Sequence, residues 1–414
     1  SGLTPRYCTL ASRTRAVCQL VSKANHTHHK LWASMDCGDV AEENIVIIGG
    51  GIVGAATAYY LTQSGAKRVT VVERTSVACH ASGKAGGFLA RDWYSRTTKA
   101  LHTVSFALHE ELATALQLTS YRPITTLDVG HRAARGENVA SWVRKECSVK
   151  DSGTAQVDPS ELTHALMQAA CEQGASLREG TAVTGLAIAD KAVVGVYLSD
   201  GSTLPCTRCI VAMGVWSVLL EEWAGLAIAM EGICSSSLVF QGPRHPFVQA
   251  GTEPFALFCP DDENGCHLEV YPRPDGSVYV CGCGGSKYIS GASLREGGGY
   301  HCAEALAASD ERVTAALASL QGLLVADGAT SPRAGLHTQA CMRPCPSDCL
   351  PVLGKVPGCR GLYVACGHNC WGILWGPVTG KAMSELVLRG AAACVDLAPF
   401  TPARFGRKGA AAIR

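Results

Sequence analysis

Three glycines set the first chemical possibility. Gly49, Gly51 and Gly54, spaced Gly-x-Gly-x-x-Gly, follow the apolar run Asn44-Ile45-Val46-Ile47-Ile48. They precede Ala55-Ala56-Thr57-Ala58-Tyr59-Tyr60-Leu61, which reads as a helix closed by Ser64-Gly65. Gly49 allows a tight turn, Gly51 lets a pyrophosphate approach the backbone, and Gly54 lets the helix pack close to the strand. The helix N-terminus offers free N–H groups and the positive end of its dipole. A second β-branched run, Val69-Thr70-Val71-Val72, ends at Glu73, roughly 20 residues past Gly54. There a carboxylate can accept hydrogen bonds from both ribose hydroxyls. This strand–helix–strand unit is a dinucleotide site, and by itself it does not choose between FAD and NAD. The small, flexible stretch Ala81-Ser82-Gly83-Lys84-Ala85-Gly86-Gly87-Phe88-Leu89 follows soon after. Its backbone can pass close to a long cofactor, and a nicotinamide enzyme has no need of it there.

The elements around this unit are α/β at both ends of the chain. Thr97–Leu118 and Ser160–Gly174 have helical periodicity, Thr181–Leu198 reads as strand–turn–strand, and Cys209–Met213 as a buried strand. Between residues 240 and 288 short strands alternate with Pro and Gly turns. The clearest is a hairpin, Leu268-Glu269-Val270-Tyr271 and Val278-Tyr279-Val280 around Pro272–Gly276. Helical pattern returns at His301–Leu324. Gly361–Ala365 reads as a last strand and Gly376–Arg389 as a last helix, with Pro377 in its first turn. Two sequence-distant α/β pieces thus form one discontinuous domain, and the intervening segments a second.

Composition narrows the partners. The net charge of +1 gives no electrostatic footprint for nucleic acid. No apolar run reaches the roughly 18 residues of a membrane span; the best, Ala212–Met230, is broken by Glu221 and Glu222. The 21 cysteines are odd in number and no secretory signal heads the chain, so a reduced intracellular setting is expected, cytoplasmic first. Cys206-x-x-Cys209 and Cys341-x3-Cys345-x3-Cys349 read as buried thiols rather than metal ligands. Residues 1–42 carry Arg6, Arg13, Arg15, Lys23 and Lys30 with no acid before Asp36. They read as a basic leader outside the fold, either a transit peptide for a mitochondrion or chloroplast or a segment foreign to it.

Four blocks in order give the chain a specific resemblance: the glycine loop with Glu73-Arg74; Ala81–Leu89; Ile210-Val211-Ala212-Met213-Gly214-Val215-Trp216-Ser217; and Cys341-Met342-Arg343-Pro344 through Gly380. The sequence resembles the FAD-dependent D-amino acid oxidase, glycine oxidase and sarcosine oxidase family, nearest a branch of fungal and plant oxidoreductases, over residues 44–392. The resemblance implies an α/β fold: a discontinuous Rossmann-like FAD-binding domain (43–99, 155–228, 333–392) and an inserted β-rich α+β substrate domain (100–154, 229–332). Residues 393–414 are a tail. It implies that Ile52 and Val53 lie along the pyrophosphate, Glu73 and Arg74 hold the adenosine half, and Val183 pairs with adenine. Ala81, Ser82, Gly86, Gly87 and Phe88 run past the ribityl chain and flavin. Gly214 joins them, and Gly372, Ile373, Leu374 and Gly376 approach the pyrimidine edge, where a helix N-terminus would stabilise negative charge on the reduced ring.

For substrate the resemblance points to Arg343, whose guanidinium fork suits a carboxylate. Tyr271 on the hairpin is a second candidate donor to the same carboxylate, Arg273 a weaker one, and His368 falls beside the flavin. Cys341 matches the position at which sarcosine oxidases hold FAD covalently, a match cheap to reach in a cysteine-rich chain. Met213, Cys370 and Trp375 depart from the family's usual residues. The implied activity is oxidation of the CH–NH bond of a small amino or imino acid, hydride passing to flavin N5 and electrons to O2. A flavin dehydrogenase serving a quinone or protein acceptor, and an FAD-binding protein with a structural or trafficking role, are the alternatives. No metal is expected.

Overall fold

The computed structural model describes residues 43–130, 140–241, 253–296, 300, 305–325, 331 and 333–405. The leader 1–42, part of the helical stretch from His301 and the end of the tail lie outside the described residues.

The glycine unit folds as its pattern requires. β1 (Asn44–Ile48) runs through the loop into α1 (Ile52–Gln63), and β2 (Arg68–Val72) returns parallel to β1, Ile45 opposite Val69 and Ile48 opposite Val72. β1 is apolar throughout its last four residues because both its faces are covered. Then come α2 (Ala81–Lys84), β3 (Phe88–Ala90), α3 (Lys99–Ala115), β4 (Arg122–Val129) and β5 (Cys147–Gln156). α4 (Pro159–Glu172) starts on Asp158, whose carboxylate accepts from the Glu161 N–H at 2.9 Å, with Pro159 at its first position. β6 (Ser176–Arg178) pairs with β2. β7 (Val183–Ala189), β8 (Ala192–Leu198) and β9 (Thr203–Pro205) form a small antiparallel sheet, and β10 (Arg208–Val211) joins the other side of β1.

After α5 (Leu220–Ala224) the chain builds β11 (Met230–Phe240), β12 (Phe255–Phe258), β13 (Glu269–Pro272), β14 (Val278–Cys281) and β15 (Lys287–Ile289). Next are α6 (Gly291–Arg295), α7 (Asp310–Leu323) and β16 (Leu336–Pro346). β17 (Val352–Lys355), β18 (Leu362–Cys366) and α8 (Gly372–Arg389) complete the first sheet and cover it. Among the described residues that sheet has the order β17-β18-β10-β1-β2-β6, and the larger sheet runs β15-β11-β14-β13-β12-β4-β5-β3 with β16 on the free flank of β11. In the first sheet the strand order reverses between β1 and β10, so the crevice at their C-terminal ends is the place for a ligand.

The segments expected for two domains are woven more tightly than the sequence suggested. Phe88–Ala90 and Leu336–Pro346 fall in stretches assigned to the FAD-binding domain, yet their strands complete the larger sheet, pairing with β5 and β11. α3 falls in a stretch assigned to the substrate domain, yet Leu101, Leu108 and Leu112 are buried in the core formed by β1, α1, α4 and α8. Its apolar stripe faces those helices, and that burial decides its place.

α8 also departs from expectation. It begins at Gly372, so Pro377 lies inside it rather than in its first turn. A proline there removes one N–H and obstructs the helical ladder. α3 supplies the replacements. His109 Nε2 lies 3.1 Å from the Ile373 carbonyl and 3.2 Å from that of Leu374, and since carbonyls only accept, Nε2 carries the proton. The Val378 N–H donates to Ser105 Oγ at 3.2 Å. His109 is buried, its Nδ1 is unpartnered, and burial lowers its pKa to about 4.

His109→Leu removes the donor to two buried carbonyls and should cost about 1–3 kcal/mol of stability, read as a fall in the urea midpoint. A pH dependence follows as well. His109 and His368 are held near pKa 4 in the fold against an ordinary 6.5, so the unfolded chain binds more protons between those values. Stability should therefore be full above about pH 6.5 and fall towards pH 4, and His109→Gln should flatten part of that slope.

Candidate functional site

A cavity of about 550 Å³ opens where the C-terminal ends of β1, β2, β10 and β18 meet the face of the larger sheet. One end is built from the glycine unit. α1 starts with no side-chain cap and no acidic residue in its first turn, which leaves its N-terminus suited to an anion. Ser82 Oγ accepts the Ile52 N–H at 2.9 Å, so the α2 loop is tied to that helix end. Glu73 Oε2 accepts the Gly50 N–H at 2.7 Å and Oε1 the Thr75 N–H at 2.9 Å. Oε1 also faces the Cys79 thiol at 3.9 Å, whereas Oε2 keeps a second lone pair for a ligand hydroxyl.

The glycines mark how closely the walls approach. Gly49 has φ +112°, and a Cβ on it would lie 2.5 Å from the Ala212 carbonyl oxygen; on Gly54 it would lie 1.9 Å from Gly49 O. A Cβ on Gly86 would fall 2.7 Å from the Tyr271 ring. Gly214 is different: a Cβ there meets nothing within 4 Å and would project into open space. A cavity lined by a helix N-terminus and a carboxylate fits a long dianionic dinucleotide.

Most of the expected cofactor residues line this one cavity: Gly49, Gly51, Ile52 and Val53; Glu73, Arg74 and Val183; Ala81, Ser82, Gly86, Gly87 and Phe88; Gly214, Gly372 and Ile373. Gly54, Leu374 and Gly376 do not. Leu374 is 1% exposed, turned into the core by the early start of α8. Gly376 serves helix packing, since a Cβ there would meet Ile52 Cγ1 at 2.5 Å.

The other end carries the substrate candidates. Arg343, on β16 opposite Ile233, is half-buried and lines the cavity. Its guanidinium meets Asn369 Oδ1 at 3.5 Å, and no carboxylate among the described residues lies within 4.0 Å of it. Tyr271 does not share its role. The Tyr271 hydroxyl donates to Glu269 Oε2, and its ring stacks on Phe88 at 5.5 Å between centroids. Its single proton is committed, so the expected bond to a substrate carboxylate is corrected to one with Glu269. Arg273 is ion-paired with Asp158 at 2.9 Å and is likewise committed. His368 Nε2 pairs with Thr379 Oγ1 at 3.0 Å, and burial lowers its pKa to about 4, so it is neutral.

Glu269, Trp93 and Phe258 also line the cavity and were not singled out from sequence. For Glu269 the signal was there: it shares strand parity with Tyr271, so one facing the cavity places the other there. Trp93 and Phe258 come from a loop and a short strand with no such marker. Cys341 lines the cavity, and burial pushes its thiol up to about 11, leaving little thiolate. Among the described residues no group of three or more His, Cys, Asp or Glu could hold a metal ion. Among them, too, no helix is long and apolar enough to cross a membrane.

This fold and cavity define a dinucleotide-dependent oxidoreductase. The family described as FAD dependent oxidoreductase matches residues 44–386, and the chain belongs to it; it is an FAD-dependent oxidoreductase of the amino acid oxidase type. The chain is 27% identical to a Schizosaccharomyces pombe protein named only as an oxidoreductase, over 86% of this chain and 96% of that one. It is also 27% identical to glycine oxidase of Geobacillus kaustophilus, over 87% and 97%. The crystal structure of that glycine oxidase superposes with a TM-score of 0.69 at 21% identity, covering 87% of this chain and 98% of the other.

Two outcomes are expected of the bound flavin. Gly49→Ala forces a side chain onto the Ala212 carbonyl at a left-handed φ, so the purified variant should carry less than half the wild-type FAD, measured by absorbance. Acid precipitation of the wild type should leave the flavin in the supernatant; flavin retained in the pellet would instead mark a covalent bond at Cys341.

Proposed function

We propose that this protein oxidises the CH–NH bond of a small amino or imino acid, with O2 as electron acceptor. The observation that carries this reading is Arg343, a half-buried guanidinium facing the cavity without a carboxylate partner among the described residues. Such a fork is completed by a substrate carboxylate bound through two charge-assisted hydrogen bonds. Bound in the cavity, FAD supplies the two-electron acceptor for a hydride from the substrate carbon.

The chain's own groups chiefly position. Glu73 and the N-terminus of α1 hold the adenosine and pyrophosphate portions. Gly86, Gly87, Gly214, Gly372 and Ile373 would bring backbone against the flavin, and the α8 N-terminus would favour negative charge on the reduced cofactor. Arg343 anchors the carboxylate so that the substrate carbon is aligned. Phe88, Trp93, Phe258 and Tyr271 wall the substrate end and exclude water. The oxidised product is an imine, which hydrolyses with water to an oxo acid and ammonia, or an amine where the substrate nitrogen is alkylated, while O2 takes up the two electrons and two protons as hydrogen peroxide. The bacterial glycine oxidases of the same family support the substrate class.

Anaerobic bleaching of the flavin across a panel of D- and L-amino acids, glycine, sarcosine and proline tests the reaction. Peroxide release on admitting air tests the acceptor, and bleaching without peroxide would mark a dehydrogenase. Arg343→Ala should keep FAD yet lose about tenfold to hundredfold in kcat/KM on the best substrate, as expected for about 1.5–3 kcal/mol per charged hydrogen bond. Arg343→Lys should recover only part. Wild-type kinetics in the alanine variant would reduce Arg343 to a turn residue.

A further inference from the structure

Among the described residues Glu269 is the one carboxylate at the substrate end of the cavity, and no part of the reaction above uses it. It stands on β13 two residues before Tyr271 and faces the same space. Its Oε2 accepts from the Tyr271 hydroxyl and from the Cys281 thiol at 3.4 Å. Its Oε1 takes no hydrogen bond from any described residue, and no Lys, Arg or His among them lies within ion-pairing distance. Lys150, which comes near the neighbouring rings, is paired with Asp128 at 2.7 Å. Arg343, Glu269 and Cys370 line this same cavity.

The walls beside Glu269 are aromatic. Phe88, Trp93, Phe258 and Tyr271 pack on one another with ring centroids 5.1–6.1 Å apart. Lys150 Nζ already lies 5.2 Å from the centre of the Trp93 ring and 5.5 Å from that of Phe258, which shows that these rings accept a cation. A carboxylate against apolar walls is costly unless a counter-charge meets it, and two neutral donors meet only one of its oxygens.

We propose that Glu269 selects substrates carrying a second positive charge, so that the cavity takes a basic amino acid: carboxylate on Arg343, remote ammonium on Glu269 and the surrounding rings. This rests on the amine-oxidation reading above. The remote cation, and not the reacting amine, is assigned to Glu269 on chemical grounds. The reacting nitrogen must free its lone pair as hydride leaves the adjacent carbon, and a carboxylate bound to it would hold it protonated.

Lysine and norleucine have similar chain lengths and differ chiefly in the terminal ammonium. With the holoenzyme, one lysine enantiomer should reduce the flavin anaerobically at least tenfold faster, at subsaturating concentration, than the same enantiomer of norleucine. In Glu269→Gln that preference should collapse to about twofold or less. Equal or better reduction by norleucine, or a preference that survives the substitution, overturns the assignment. The wild-type comparison stands even if the variant misfolds. A binding measurement separates this inference from the reading beneath it. Hexanoate and 6-aminohexanoate lack the α-amine, and their binding is read from the perturbed spectrum of the oxidised flavin. Tenfold tighter binding of 6-aminohexanoate supports the assignment to Glu269 even if no amino acid bleaches the flavin, which would sink only the oxidation reading. Equal binding of the two overturns it.

Discussion

Two helix N-termini can face one cavity only if their axes come close together. α1 and α8 do so because side chains are missing where they cross. A Cβ on Gly376 would lie 2.5 Å from Ile52 Cγ1, and one on Gly380 2.4 Å from the backbone of Ala56. With that contact in place, Gly51 and Ile52 at one helix start and Gly372 and Ile373 at the other line the same wall. The price of this geometry is an α8 interrupted by Pro377, and α3 makes good the lost ladder with His109 and Ser105. Thus α3 is a structural part of the cofactor side, although no residue of it reaches the cavity.

The substrate end depends on charges left incomplete by the fold. Arg273 has its charge paired with Asp158 at 2.9 Å. Arg343, with one long contact to Asn369, and Glu269, with one oxygen bonded, have no such ion pair among the described residues. Asn369 holds φ +48°, a backbone region that asparagine tolerates better than most residues, so the turn after β18 can present its amide to Arg343. Opposite charges on separate strands, β16 and β13, are kept apart by the sheet and meet through what lies between them.

Much of the first sheet was legible in sequence because its signals are local. A β-branched run, three glycines at fixed spacing and an acid at the end of the next strand each constrain one turn of backbone, and β1, α1 and β2 formed where they were read. The hairpin at Tyr271 was legible for the same reason, from its alternation and its Pro–Gly turn. What escaped was set by distant partners. Phe88–Ala90 is too short to reveal which sheet it joins, and β5 decides that across some sixty residues of chain. The start of α8 was misplaced because Pro377 is a sound first-turn residue by local rules, whereas the donors that allow it inside the helix sit on α3. For the site, a glycine pattern named the cofactor end, but Tyr271 and Glu269 could be joined only once both faced inward. Leu374 and Gly376 were assigned to the cavity through the family resemblance, and neither lines it because both face the packed side of α8.

The pairing of β1 has a consequence for how the chain is made. β1 and its glycine loop are made long before one neighbour of β1, which is β10, and β10 in turn waits for β18. The last wall of the cavity, at Gly372 and Ile373, comes from the start of α8, far along the chain from β1. Until that helix leaves the ribosome, the apolar strand at the start of the fold has one edge without its final neighbours and no closed space to offer a ligand. Contacts this distant in sequence form slowly. The first sheet therefore stays unfinished, and the dinucleotide site unformed, until β18 and α8 have both been made.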